Sequence, residues 1–173
     1  MSSEPSAKRG KNVLPEPAAD NATAIAIDQQ IPNAIVDVAK AADGPVLFIA
    51  PHEITNVCRF LKETAGFERL AGVTGVDWWP QEPRFEVIYL LHSFRNKARV
   101  RLSVRLGENE EVESLVPVWR GANWYEREVF DLFGVRFKNH PNLERIMMPA
   151  DWEGHPLRKD YPVHGHRYSY QDE

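Results

Sequence analysis

Cysteine is nearly absent from this chain, basic residues are outnumbered by acidic ones, and no long hydrophobic run occurs. A single thiol, Cys58, in 173 residues excludes an internal disulfide and any iron–sulfur cluster ligated by this chain alone. It falls within the apolar pattern of an expected helix and reads as a buried, inert thiol in a reducing compartment. Lys and Arg number 21 against 25 Asp and Glu, for a net charge of −4, whereas general nucleic-acid affinity needs a basic face. The best apolar runs, VLFIA at 46–50 and VIYLL at 87–91, fall far short of the roughly 18 residues of a membrane-spanning helix. The first residues lack the basic-then-apolar pattern of a secretory signal. A glycine-rich phosphate loop is missing too, since GVTG at 72–75 lies inside a strand pattern.

What remains is an ordinary globular composition, 43% hydrophobic and 27% charged. Residues 1–24, rich in Ser, Pro, Ala and Asn, read as a flexible leader. Residues 32–42 predict a short helix with Ile35, Val38 and Ala39 on one face. After the Asp43-Gly44-Pro45 break comes a buried strand at 46–50. Pro51-His52-Glu53 then opens a helix with Ile54, Val57, Cys58, Leu61 and Ala65 at helical spacing and Gly66 as its cap. Three strands follow, at 70–79, 85–92 and 98–106. The last alternates strictly: Val100, Leu102, Val104 and Leu106 share one face, Arg99, Arg101, Ser103 and Arg105 the other. That arginine stripe lacks the stacking aromatics of an RNA-binding sheet, so it reads as a solvated face or a contact for an acidic partner. Residues 25–134 thus define an α+β fold, a two-layer domain with helices packed on one face of a mixed sheet.

Residues 123–162 differ in kind. Gly121 breaks the chain, Asn123 and Glu126 have capping-box spacing, and Gly134 suits a C-cap, predicting a helix over 124–133. Tyr125, Val129, Leu132 and Phe133 form its core stripe. Arg127, Glu128 and Asp131 face outward, where Arg127 and Asp131 are spaced as an i, i+4 pair. Residues 135–173 form an irregular C-terminal arm, because prolines at 141, 149, 156 and 162 deny a regular helix or central strand. The arm is too aromatic for a disordered linker, so it needs a surface to lie on. Glu126, Glu128 and Asp131 are available for acid–base chemistry, but Glu126 and Glu128 do not share a helix face. His155, His164 and His166 fit no compact zinc spacing. Neither a catalytic nor a metal site is expected.

The residue order is nevertheless specific. Glu126-Arg127-Glu128, Asp131-Leu132-Phe133-Gly134, His140-Pro141, Leu143 and Arg145-Ile146 are followed by Asp151-Trp152-x-Gly154-His155-Pro156-Leu157-Arg158-Lys159-Asp160-Tyr161-Pro162. Together they resemble the signature of the C-type, or 30 kDa-type, subunit of NADH:quinone oxidoreductase, respiratory complex I. Residues 32–118 resemble that family only in length and order of elements. The resemblance implies a cofactor-free α+β domain with a structural, non-catalytic role. Its C-terminal docking tail would lie on the large quinone-site subunit, near the iron–sulfur subunits of the peripheral arm. FMN and Fe–S clusters would belong to other chains. Membrane association, at the cytoplasmic face of the bacterial inner membrane, would come only through the complex. Trp152, Tyr161 and the prolines would serve as apolar anchors, and Arg145, Arg158 and Lys159 as charged contacts to the partner. Arg127, Glu128 and Asp131 would hold the arm's starting angle. Equivalent subunits also occur in membrane-bound hydrogenase-type complexes; a free-standing chain that ends soon after the tail favours the respiratory one.

Overall fold

The computed structural model describes residues 21–42 and 44–162; the first twenty residues of the expected leader, His164 and His166 lie outside them. The end of that leader is already helix. Asn21 caps α1 (Ala22–Gln30), its side chain accepting from the Ala24 N–H at 3.0 Å, and Ala24 and Ile27 are fully buried.

The helix expected over 32–42 is instead a strand, β1 (Ile35–Ala41), paired antiparallel with β2 (Gly44–Ile49). A register irregularity between Ile35 and Asp37 puts Ile35 and Val38, three apart, on the same buried side. The bulge imitates a helical period, and the β-branched Ile35, Val36 and Val38 favour the extended chain. The turn between the two strands places Gly44 at φ 125°, which suits only glycine.

Helix α2 (Ile54–Glu63) follows a 3₁₀ turn at Pro51–Glu53 and buries Ile54, Val57, Cys58 and Leu61. It ends at Thr64, earlier than expected, and Gly66 takes φ 73° two residues on. Strands β3 (Arg69–Asp77), β4 (Phe85–Ser93) and β5 (Ala98–Leu106) form the expected meander. The five-stranded sheet has the order β1-β2-β5-β4-β3, parallel only between β2 and β5. Helices α1 and α2 pack on the side that carries Leu47, Val87, Tyr89, Leu91, Leu102 and Val104, all buried. The opposite side holds the arginine stripe.

Beyond the short strand β6 (Glu111–Glu113) comes α3 (Ala122–Phe133). It lies along β3 on the same side as α2: a Cβ at Gly75 would come within 2.8 Å of the Phe133 ring. The arm does not begin as irregular chain, because Arg136–Lys138 forms β7, parallel to β6, and buries Val135 and Phe137. From 139 to 162 there is neither helix nor strand, yet this segment is tied down by the contacts described next.

Candidate functional site: an arm fastened at three points

The C-terminal end of α3 organises the arm. Gly134 ends the helix at φ 78°, and its N–H reaches the Phe130 carbonyl at 2.8 Å. An α-helix leaves its last carbonyls unpaired, and here the arm takes each of them. The Asp131 carbonyl receives Arg145 Nη1 at 3.2 Å and lies 2.9 Å from His155 Nδ1. The Leu132 carbonyl accepts from the Leu157 N–H at 3.0 Å, and that of Phe133 from Arg158 Nε at 2.6 Å. Two guanidinium groups at the negative end of the helix dipole add a favourable charge term. The approach is so close that a Cβ at Gly134 would lie 2.5 Å from Arg158 Nη2 and 2.6 Å from the His155 ring.

The first anchor is the Asp131 side chain, fully buried rather than outward-facing. Its Oδ2 accepts from three consecutive backbone N–H groups, Ile146, Met147 and Met148, at 2.9, 2.7 and 2.9 Å. Oδ1 meets Arg145 Nη1 at 2.6 Å, and Arg145 Nη2 continues to the Gly154 carbonyl at 2.9 Å. Burial pushes this carboxyl up, but the N–H groups of Met148 and Met147, the Arg145 guanidinium and the Ile146 N–H outweigh it and hold the pKa below the usual range. The i, i+4 partner expected for Asp131 is elsewhere. Arg127 stacks on Trp124, 5.2 Å from the ring centroid, and donates to the carbonyls of Glu144 and Arg145 at 3.0 and 3.4 Å.

The second anchor lies at the far end of the arm. Arg84, its side chain only 3% exposed, binds both carboxylate oxygens of Asp77 at 3.0 Å, with Glu108 at 3.0 Å and Asp160 at 2.6 Å. The Lys159 N–H donates to Asp77 Oδ2 at 2.9 Å. Burial opposes charge on Asp77, yet Arg84 and the N–H groups of Lys159 and Trp79 bring its pKa down to about 2. The guanidinium groups of Arg84 and Arg158 lie 5.0 and 5.1 Å from the Phe85 ring centroid, and Arg158 also reaches Glu108 at 3.4 Å.

The third anchor is Glu126. It does not form a capping box, since the helix begins at Ala122 with Gly121 as an uncapped N-cap. Instead the fully buried carboxyl accepts from Ser114 Oγ and the Leu115 N–H, each at 2.6 Å, and fixes the chain before α3. Burial outweighs these bonds and raises its pKa to about 7. His140 Nε2 lies 3.9 Å from this carboxyl and 3.3 Å from the Asn123 carbonyl, while Nδ1 accepts from the Asn142 N–H at 3.0 Å. Burial lowers the His140 pKa, opposed by the hydrogen bond to the Asn123 carbonyl and aided by the charge of Arg127.

Of the signature residues, Glu126, Asp131, His140, Arg145, His155, Arg158 and Asp160 therefore meet at these anchors. Trp152, Pro156 and Tyr161 are half-buried along the arm; Glu128, Pro141, Asp151, Gly154, Lys159 and Pro162 lie on the surface. Asp77, Arg84, Glu108 and Ser114 escaped sequence reasoning. A charged residue at each end of the turn between two apolar strands was the available signal for Asp77 and Arg84. Cys58 is buried in the core, which raises its pKa. Among the described residues no group of three or more His, Cys, Asp or Glu is placed to hold a metal, and no helix is long and apolar enough to cross a membrane.

A helix end capped by its own arm, on a sheet with helices on one side, defines a small α+β domain. The family model described as respiratory-chain NADH dehydrogenase, 30 Kd subunit, matches residues 47–167. The chain belongs to this family. It is 47% identical over 150 residues to the C-type subunit of the NADH-quinone oxidoreductase of Roseiflexus sp. (strain RS-1), covering 84% of this chain and 86% of that protein. The corresponding protein of Geobacter sulfurreducens is 43% identical over 150 residues, covering 86% and 93%. Among solved structures, a chain of the membrane-bound sulfane sulfur reductase, an archaeal respiratory membrane complex, shares the fold with a TM-score of 0.68. It is 24% identical and covers 81% of this chain and 84% of its own.

Proposed function

We propose that this chain is a non-catalytic assembly subunit in the peripheral arm of a proton-translocating NADH:quinone oxidoreductase. It docks on the large quinone-site subunit and supports electron transfer from NADH, through FMN and Fe–S clusters held by other subunits, to quinone. Membrane association comes through the complex, at the cytoplasmic face of the bacterial inner membrane. The observation that carries this reading is the family match across the anchored arm. The geometry is consistent with it, because the strongest ionisable groups of the signature are spent on the chain's own backbone. The arm is pre-ordered, so docking costs little conformational entropy. Trp124, Met147 and Leu157 stand 61%, 60% and 53% exposed beside the anchors and offer apolar contacts to the large subunit.

The test is purification from membranes through a tag on this chain, together with activity measurements on membranes of a strain in which its gene is deleted. Co-purification with the large and Fe–S subunits is expected. Deletion should abolish NADH:quinone activity while sparing NADH oxidation by ferricyanide at the flavin. A chain that purifies alone, or a deletion that leaves NADH:quinone activity intact, overturns the proposal. Capture of a nickel-bearing large partner without NADH oxidation assigns the chain to a hydrogenase-type complex instead.

A further inference from the structure

The sheet face opposite α2 and α3 is unlike the rest of this acidic chain. Strand register aligns Arg69 with His92 and His92 with Arg99, so three basic side chains form one row across β3, β4 and β5. Arg101 stands in the next row, flanked by Leu90 and Val46, and Arg105 lies toward the far end, opposite Glu86. Glu86 is already engaged by Arg105 at 3.3 Å, by Trp78 Nε1 at 2.8 Å and by the Ser103 hydroxyl. Arg69 and Arg99 are exposed and have no ion-pair partner among the described residues. Between the cations runs a half-buried apolar floor of Phe48, Ile88 and Leu90. A depression of about 280 Å³ opens there, lined in part by Pro45, Leu90, His92, Arg99 and Arg101.

Arg69 and Arg99, on either side of His92, carry charge that no carboxylate among the described residues neutralises, so this face is basic on a chain of net negative charge. We propose that it is a second docking surface, which takes an acidic segment of another protein in the complex. Carboxylates of that segment meet Arg69 and Arg99, and its apolar side chains rest on Ile88 and Leu90. The chain is then held on both sides, by its arm on the helical side and by this face on the other. A protein fits better than a nucleic acid, which would call for stacking aromatics across the face. It also fits better than a membrane, which would call for protruding apolar side chains.

The inference rests on the chain being part of a larger complex, and two experiments on that complex keep the two claims separate. In the first, Arg99→Lys retains the charge and presents an amine that a zero-length carbodiimide couples to a contacting carboxylate. Mass spectrometry of the purified complex should find the amine at position 99 joined to an Asp or Glu of another protein. In the second, the Arg69→Glu/Arg99→Glu chain should fold with an unchanged melting temperature but retain its partners about tenfold less well at low ionic strength, a gap that narrows as salt is raised. Coupling only to residues 1–20 or 163–173 of this chain, protection by anionic lipid or nucleic acid instead of protein, or full retention of partners by the charge-reversed chain overturns the proposal. A wild-type chain that captures no other proteins at all refutes the assembly reading, whatever these variants do.

Discussion

Replacing Asp131 with Asn tests the central joint of the arm. The carboxylate is fully buried and accepts four short bonds, three from the N–H groups of residues 146–148 and one from Arg145. Asparagine keeps one oxygen and turns an N–H₂ group toward donors, so the Arg145 charge or the backbone N–H cluster loses its acceptor. Removing one partner of a buried pair costs about 3–5 kcal/mol. For a chain of this size that lowers the melting temperature by about 10 °C. Thermal unfolding by circular dichroism measures the loss, and hydrogen exchange should show faster exchange confined to residues 145–158. The sign with pH follows from the depressed pKa of Asp131. Its contribution is present above the unfolded pKa and disappears as pH falls through the folded one. Wild type and variant should therefore converge in acid. A melting temperature within about 2 °C of wild type at pH 7, or a gap that persists unchanged in acid, refutes the account of this joint.

Glu126 should behave in the opposite sense, since its folded pKa of about 7 lies above its unfolded value. Stability from this group is complete below the unfolded pKa and is lost as pH rises through about 7, with about 3 kcal/mol at stake. Glu126→Gln mimics the protonated acid, so its stability relative to wild type should increase between pH 5 and pH 8 in chemical denaturation; a constant difference would contradict the buried-acid assignment. Gly134→Ala meets both the left-handed backbone and the approach of Arg158 and His155, and should cost about 2 kcal/mol or more and speed proteolysis within the arm. At the second anchor the cost should follow burial. Asp77→Asn, whose side chain is 1% exposed, should destabilise by about 3 kcal/mol, whereas Asp160→Asn, at 42%, should stay below about 1 kcal/mol in the same urea titrations.

Local chemistry alone accounted for much of the fold. Strict alternation located β5, the apolar face of 54–61 located α2, and Gly134 marked the end of α3, because each depends on side-chain period or on a φ that one residue type tolerates. The signature at 126–162 identified the family for a similar reason: its order of residues is itself the evidence. Other features came only from the folded chain. A bulge gave Ile35 and Val38 the spacing of a helix, and α1 carries too few large apolar residues to stand out before Ala24 and Ile27 meet the core. Asp131 and Glu126 read as surface or capping residues because helical spacing cannot reveal a donor 14 or more positions away, or one that precedes the helix. Arg84 meets Asp160 across 76 positions, a distance over which no periodic pattern carries information. Sequence determined the elements and the identity of the arm, and tertiary structure decided where its charges go. Burying a charge is tolerable only where the complete set of partners is brought together, and that set exists only after the chain has closed on itself.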